Sequence, residues 1–175
     1  VLGLSNINLE LRNKNIEVIM GLSGSGKSTL IRHINRLIDP TAGSITVGGE
    51  DIIGMSKEKL RQFRQQKTAM VFQSFALLPH KTVMDNVCYG IFLQGVAGDE
   101  AHQRAKKWID RVGLSGYEDR YPSQLSGGMK QRVGLARALT CDTEILMMDE
   151  AFSALDPLIR SDMQDLLLEL QKELH

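Results

Sequence analysis

Gly21-Leu22-Ser23-Gly24-Ser25-Gly26-Lys27-Ser28 is the stretch on which the fold turns. It lies between an apolar run at 16–20, which reads as a strand, and a segment from Lys27 onward in which Leu30, Ile31, Ile34, Leu37 and Ile38 recur at helical spacing until Asp39-Pro40 closes it. Strand, glycine-rich loop and helix, with two glycines, a lysine and a hydroxyl at these offsets, form the pattern that turns backbone N–H groups around phosphate oxygens. Glycine is needed because a side chain would block that approach. Lys27 is expected to bridge the β and γ phosphates of a nucleotide and Ser28 to help hold Mg²⁺, while the first amides of the helix favour anionic oxygens. The candidate nucleotide contacts of this loop are Gly21, Ser23, Gly24, Ser25, Gly26, Lys27, Ser28 and Thr29. A glycine-rich turn that happens to precede a helix is the plainer reading.

Outward from the loop, alternation at 7–11 predicts a strand that joins 16–20 through a turn at Asn13, Lys14 and Asn15, where asparagine tolerates left-handed geometry. Downstream, 44–47 reads as a short strand ended by Gly48-Gly49, 57–67 as a charged helix and 68–72 as a strand leading to Gln73. The pattern then changes: 83–93, 99–112 and 127–140 all carry helical periodicity, so about 80–140 reads as a helical lobe. Strand signal returns at 144–148, and 158–174 is a long amphipathic helix. Strands alternating with helices imply an α/β protein with a mainly parallel sheet, interrupted by a helical insertion.

Ile145-Leu146-Met147-Met148-Asp149-Glu150 delivers two carboxylates to the C-terminal end of a buried strand, where ligands of parallel α/β sheets bind. Beside a phosphate loop, Asp149 would orient Mg²⁺ or its waters and Glu150 would polarise an attacking water. Alone, such a run can be a strand entering a solvated loop. Leu125-Ser126-Gly127-Gly128-Met129-Lys130-Gln131 sets a serine and two glycines before a helix, which is either a plain N-cap or a second anion-binding helix start. Two such starts cannot easily grip one nucleotide within one chain if the second lies in a separate lobe. A head-to-tail pair of chains sharing two nucleotides is the natural geometry.

The bulk properties narrow the partners. Lys plus Arg and Asp plus Glu both number 21 in 175 residues, so no net field draws the chain to nucleic acid or an anionic surface. Only Cys88 and Cys141 are present, far apart, and they read as core thiols in a reducing compartment. No apolar run approaches the roughly 20 residues that span a bilayer. Work at a membrane would need another polypeptide to supply the spanning segments.

With these residues in order, the sequence resembles the ATP-binding cassette ATPase family: the phosphate loop, Gln73, the Leu125 to Gln131 signature, Asp149-Glu150, then Ser153-Ala154-Leu155-Asp156. The stretches around Gln73, after Met129 and after Asp149 look like the ATPases of glycine betaine/proline uptake. The resemblance implies a RecA-like P-loop NTPase core at about 1–79 and 141–175, with a partial N-terminal antiparallel β region and a helical subdomain at about 80–140. It implies ATP and Mg²⁺ as ligands, with Ser28, Gln73 and Asp149 at the metal and Glu150, Lys27 and Gln73 in catalysis. Ser126, Gly127 and Gly128 would reach the nucleotide of a second copy of the chain. Asp156 would link the two copies, and it also reads as an N-cap followed by Pro157 at the first helical position. Gln73 would pass closure to transmembrane permease subunits near 75–80, at the cytoplasmic face of the membrane, with no nucleic acid as partner. A soluble cassette ATPase acting on ribosomes or DNA is the alternative.

Some positions depart from the family pattern. Met129 stands where many members have glutamine. No aromatic precedes Phe63, so the ring that stacks on adenine in the family has no counterpart here, and the family's switch histidine should follow a strand beyond the last helix. His175 ends that helix instead, and His33, His80 and His102 have no metal-like partners. The sequence is therefore expected to be a piece of a longer domain that binds ATP weakly by itself.

Overall fold

The computed structural model describes residues 3–152 and 155–173. Helix α1 (Lys27–Ile34) opens directly from Gly26, which is left-handed at φ 93° and gives the helix no side-chain cap, so its first amides stay available. The helix stops four residues short of the Ile38 that periodicity suggests. Arg36 adopts φ 52°, and its N–H and that of Leu37 return to the carbonyls of His33 and Arg32. That pair of bonds is the Schellman stop, here built on arginine instead of glycine. The conformation is held from outside: Arg36 donates to Ile52 O and Met55 O at 3.1 and 2.9 Å, and Arg64 donates to the carbonyls of Asn35 and Arg36.

Strands β1 (Thr46–Val47) and β2 (Glu50–Asp51) form an antiparallel hairpin across Gly48-Gly49, whose φ angles of 57° and 85° suit a two-residue primed turn. Beneath it Ile52, Leu60 and Phe63 make a small core with helix α2 (Lys57–Gln66), capped by Ser56 Oγ accepting from Lys59 N–H. Strand β3 (Thr68–Phe72) pairs in parallel with β4 (Ile145–Asp149), Thr68 opposite Ile145 and Phe72 opposite Asp149. Both strands therefore end at one level, and the residues that follow them, Gln73 and Glu150, leave side by side.

The crossover between these strands is the helical lobe. Helices α3 (Val83–Leu93), α4 (Gly98–Arg111) and α5 (Gly127–Thr140) enclose Val83, Val87, Ile91, Ala101, Ala105, Ile109 and Val133, all fully buried. The other face of α5 gives Leu135 and Ala138 to a second cluster with Val71 of β3 and Met163 of α6 (Pro157–Glu173). A helix buried on two faces cannot show a strong amphipathic stripe, and α5 is accordingly apolar or small at most positions. Cys88 and Cys141 are free thiols; burial pushes Cys88 up to about 11, with Asp85 adding to the rise.

The expected strands at 7–11 and 16–20 are absent. The segment runs without a ladder, and Ile7, Leu9, Leu11, Ile16, Val18 and Met20 remain between 44 and 85% exposed. Alternation makes one face apolar, but a strand exists only by hydrogen bonding to a neighbour, and neither ladder among the described residues reaches this segment. The turn between the two runs does form, with Lys14 at φ 66° and not an asparagine in the left-handed position. Among the described residues no helix is long and apolar enough to cross a membrane.

Candidate phosphate-binding site

The glycine-rich loop curls back on itself, with Ser25 N–H donating to Leu22 O at 3.2 Å. Gly24 and Gly26 have φ 79° and 93°, a backbone conformation that requires glycine, and a Cβ added at Gly26 would in addition have to displace Leu4 Cδ2 at 2.7 Å. A cavity of about 160 Å³ opens above the loop, lined by Gly24, Gly26, Lys27, Ser28, Thr29 and Glu150. The volume fits part of a polyphosphate better than a whole nucleotide, for which ligand clefts usually reach at least about 300 Å³. Within the site Lys27 Nζ donates to Gly21 O and Leu22 O at 3.1 and 3.0 Å and lies 3.7 Å from a Glu150 oxygen. The lysine charge is thus already shared among three acceptors, and an arriving phosphate must outcompete them.

Glu150 itself is left-handed at φ 49°, an uncommon conformation for a residue with a side chain, which turns the chain sharply at the end of β4. Asp149, one residue earlier, points the other way into the protein and is 2% exposed. Its Oδ2 accepts from Arg32 Nη2 and Nε at 2.8 and 3.1 Å, and its Oδ1 has no hydrogen-bond partner. An orphaned oxygen on a buried carboxylate is costly unless something else completes it. Ser28 lines the cavity and Asp149 does not, but the oxygens that the hydroxyl and the carboxylate offer are of the hard kind that suits Mg²⁺. Arg32 escaped the reading of the sequence. It stands five residues beyond Lys27, and nothing in local spacing signals a partner 117 positions away.

The remaining candidates fall in three places. Gln73 follows β3 directly and is exposed beside the carboxylate end of β4. Ser126 caps α5, its Oγ accepting from Met129 N–H at 3.2 Å, and with Gly127 it is exposed away from the cavity. Gly128 is buried; an added Cβ would lie 3.0 Å from two carbons of Ile159, so this glycine serves close packing on α6. Asp156 caps α6, Oδ1 accepting from the N–H groups of Leu158 and Ile159 at 3.1 and 3.0 Å, as its plainer reading expects. Ser153, Ala154 and His175 lie outside the described residues. Of the histidines, His33 and His102 hold the carbonyl oxygens four residues back at 2.6 and 2.9 Å through Nδ1, which ties both rings to their own helices.

Comparison with known proteins bears on the family and the fold. Residues 4–153 match the family described as ABC transporter. The glycine betaine transport ATP-binding protein OpuAA of Bacillus subtilis is 60% identical over 168 residues, which cover 96% of this chain and 40% of that protein. The glycine betaine/proline betaine transport system ATP-binding protein ProV of Escherichia coli is 55% identical over 170 residues, 97% of this chain and 42% of its own. The chain thus spans about two fifths of the length of these relatives. Among solved structures, the ATP-binding cassette MJ0796, a dimer in a post-hydrolysis state bound to ADP and Pi, superposes with a TM-score of 0.90 at 33% identity, covering 98% of this chain and 75% of that one.

Proposed function

Since the chain belongs to the ABC transporter family of ATP-binding domains, we propose that it is the ATP-binding and hydrolysing part of an importer subunit, working in glycine betaine/proline uptake or that of a related compatible solute. The observation that carries this reading is the meeting of Lys27 and Glu150 at 3.7 Å over a glycine-rich cavity at the end of β4. A cation for phosphate oxygens and a carboxylate for water share one small space. The likeness to relatives named for glycine betaine transport supports the solute class.

In this reading Gly21 to Thr29 hold the phosphate chain of ATP, and Lys27 leaves its loop carbonyls for the β and γ oxygens. Glu150 accepts a hydrogen bond from water and aligns it for attack on the γ-phosphorus. Asp149 and Ser28, with Gln73, would hold Mg²⁺, which when bound supplies positive charge against the phosphate oxygens. Arg32 keeps one Asp149 oxygen engaged, leaving the other for the metal. Ser126 and Gly127 at the exposed start of α5, with Gly128 behind them, would reach the nucleotide of a second chain, and the dimeric MJ0796 cassette supports a pairing of two chains. The α/β part at 1–79 and 141–175 carries the nucleotide beside a helical subdomain at 80–140, and Gln73 passes closure to transmembrane permease subunits near 75–80, at the cytoplasmic face of the membrane.

Glu150→Gln tests the assignment: it keeps the hydrogen-bonding shape and removes the carboxylate. Mg-ATP binding should persist, phosphate release should fall by at least about 100-fold, and sedimentation with Mg-ATP should show a trapped dimer. Unchanged phosphate release would overturn the role of Glu150. Recovery of the native protein with ribosomes or DNA, and without polytopic membrane subunits, would overturn the importer reading.

A further inference from the structure

The segment after Gln73 is built under strain. Phe75 and Ala76 are consecutive left-handed residues, at φ 63° and 47°, and neither is glycine. Such a pair persists only where its surroundings over-determine it. The turn is closed by Phe75 N–H on Phe72 O at 3.1 Å and Ala76 N–H on Ser74 O at 2.7 Å, and it is tied to α5 by Arg137, which donates from Nη2 to Phe75 O at 3.0 Å and from Nη1 to Ala76 O at 2.7 Å. The planar fork of a guanidinium matches two successive carbonyls, which an ammonium cannot do with fixed geometry. Behind it Gly134, one turn earlier on α5, brings the helix close enough that an added Cβ would sit 3.7 Å from Phe75 O. Arg137 has no carboxylate partner among the described ion pairs, and burial draws its guanidinium below the usual arginine value, with the Cys141 thiol opposing. A half-buried cation spent on two loop carbonyls points to a need for that loop conformation.

The other end of the loop is fixed separately. Asn86 on α3 accepts from Leu78 N–H and donates to the carbonyls of Leu78, Lys81 and Thr82 at 2.8 to 3.1 Å, so 78–82 moves with α3 whatever Arg137 does. The carbonyls of Phe75 and Ala76 are what this loop gives to Arg137 of α5. The N-terminus of that helix carries Ser126 and Gly127, three turns from Arg137 along one rigid rod.

We infer that Arg137 is a positioning residue: it latches the strained Phe75-Ala76 pair to α5, so that the loop leaving Gln73 follows the Ser126–Gly127 helix start. The inference rests on the nucleotide-binding reading above for its consequence, and on the latch geometry alone for its structural part. Without the guanidinium, Phe75 and Ala76 relax out of the left-handed region and the loop that leaves Gln73 loses its tie to α5, while the phosphate loop stays intact.

The test is hydrogen exchange of the 74–77 amides in the native protein and in Arg137→Met and Arg137→Lys, with the α4 amides at 101–109 as reference, alongside MgATP binding and hydrolysis. Arg137→Met should speed exchange at 74–77 by at least about tenfold and leave α4 unchanged. It should lower kcat by about tenfold or more while the KM for MgATP stays within about twofold. Arg137→Lys should recover part of both effects. Unchanged exchange at 74–77 would overturn the latch. Equal loosening of α4 would make Arg137 a general packing residue and overturn it too. If the unsubstituted protein shows no turnover, the ATPase reading suffers and the exchange result still decides the latch.

Discussion

Lys27 is the residue with most to lose on substitution, and the reason lies in what it does before ligand arrives. Its ammonium is shared between Gly21 O, Leu22 O and the Glu150 carboxylate, so it holds the loop open-handed around the cavity as well as waiting for phosphate. Lys27→Ala removes charge-assisted bonds of about 1.5–3 kcal/mol each, which predicts a fall of about tenfold to 100-fold or more in affinity for a fluorescent ATP analogue. Equal affinities would remove Lys27 from the site. Arg32 gives a stability effect instead. Arg32→Ala leaves the buried Asp149 carboxylate with no cation, a loss that reaches about 3–5 kcal/mol for fully buried pairs and is discounted here to about 1–3 because Arg32 is half exposed. A urea midpoint checks it, and adding Asp149→Asn should recover part of the loss.

At the scale of elements, caps separate what is held locally from what is held by the fold. Asp156 satisfies two N–H groups at the start of α6, so Asp156→Ala should cost about 1–2 kcal/mol in a denaturant melt, whereas Asp156→Asn should cost much less. A loss as large for asparagine as for alanine would mean the carboxylate charge, and not the cap, is what counts. Helix α3 is legible in the sequence because Thr82 caps its start and Gly95 follows its end, α5 because Ser126 caps its start, and strand β3 because its apolar run stops at Gln73. The stop of α1 is not, since Arg36 reaches its left-handed conformation through Ile52, Met55 and Arg64, all remote in sequence. Residues 7–20 depart from the strand pattern for the opposite reason: alternation tells which side chains share a face and is silent on whether a neighbouring strand exists. The phosphate loop and Asp149-Glu150 could be read because their chemistry is tied to short spacing. Arg32 and Arg137 act across long separations and leave no such trace.

For the whole molecule, the core contains a group whose protonation is linked to folding. The Cys88 thiol sits fully buried in the helical lobe with its folded value near 11, above that of an exposed thiol. Between about pH 9 and 11 the unfolded chain releases this proton while the folded chain keeps it, so the unfolded state binds fewer protons and stability falls as pH rises through that window. Thermal melts at pH 8, 9.5 and 10.5 should show the fall, and Cys88→Ala, although less stable throughout, should show a shallower one. The parallel pairing of β3 with β4 has its own consequence for how the chain comes together. The strands are adjacent in space, yet residues 73–144 lie between them. Closing so long a loop is entropically slow, whereas α3, α4 and α5 meet through nearer contacts and can assemble first. Gln73, Asp149 and Glu150 take their places only when the two strands zip. A newly made chain would therefore carry a finished helical lobe for some time before it owns any site at all, and ATP can reward only the last step of folding.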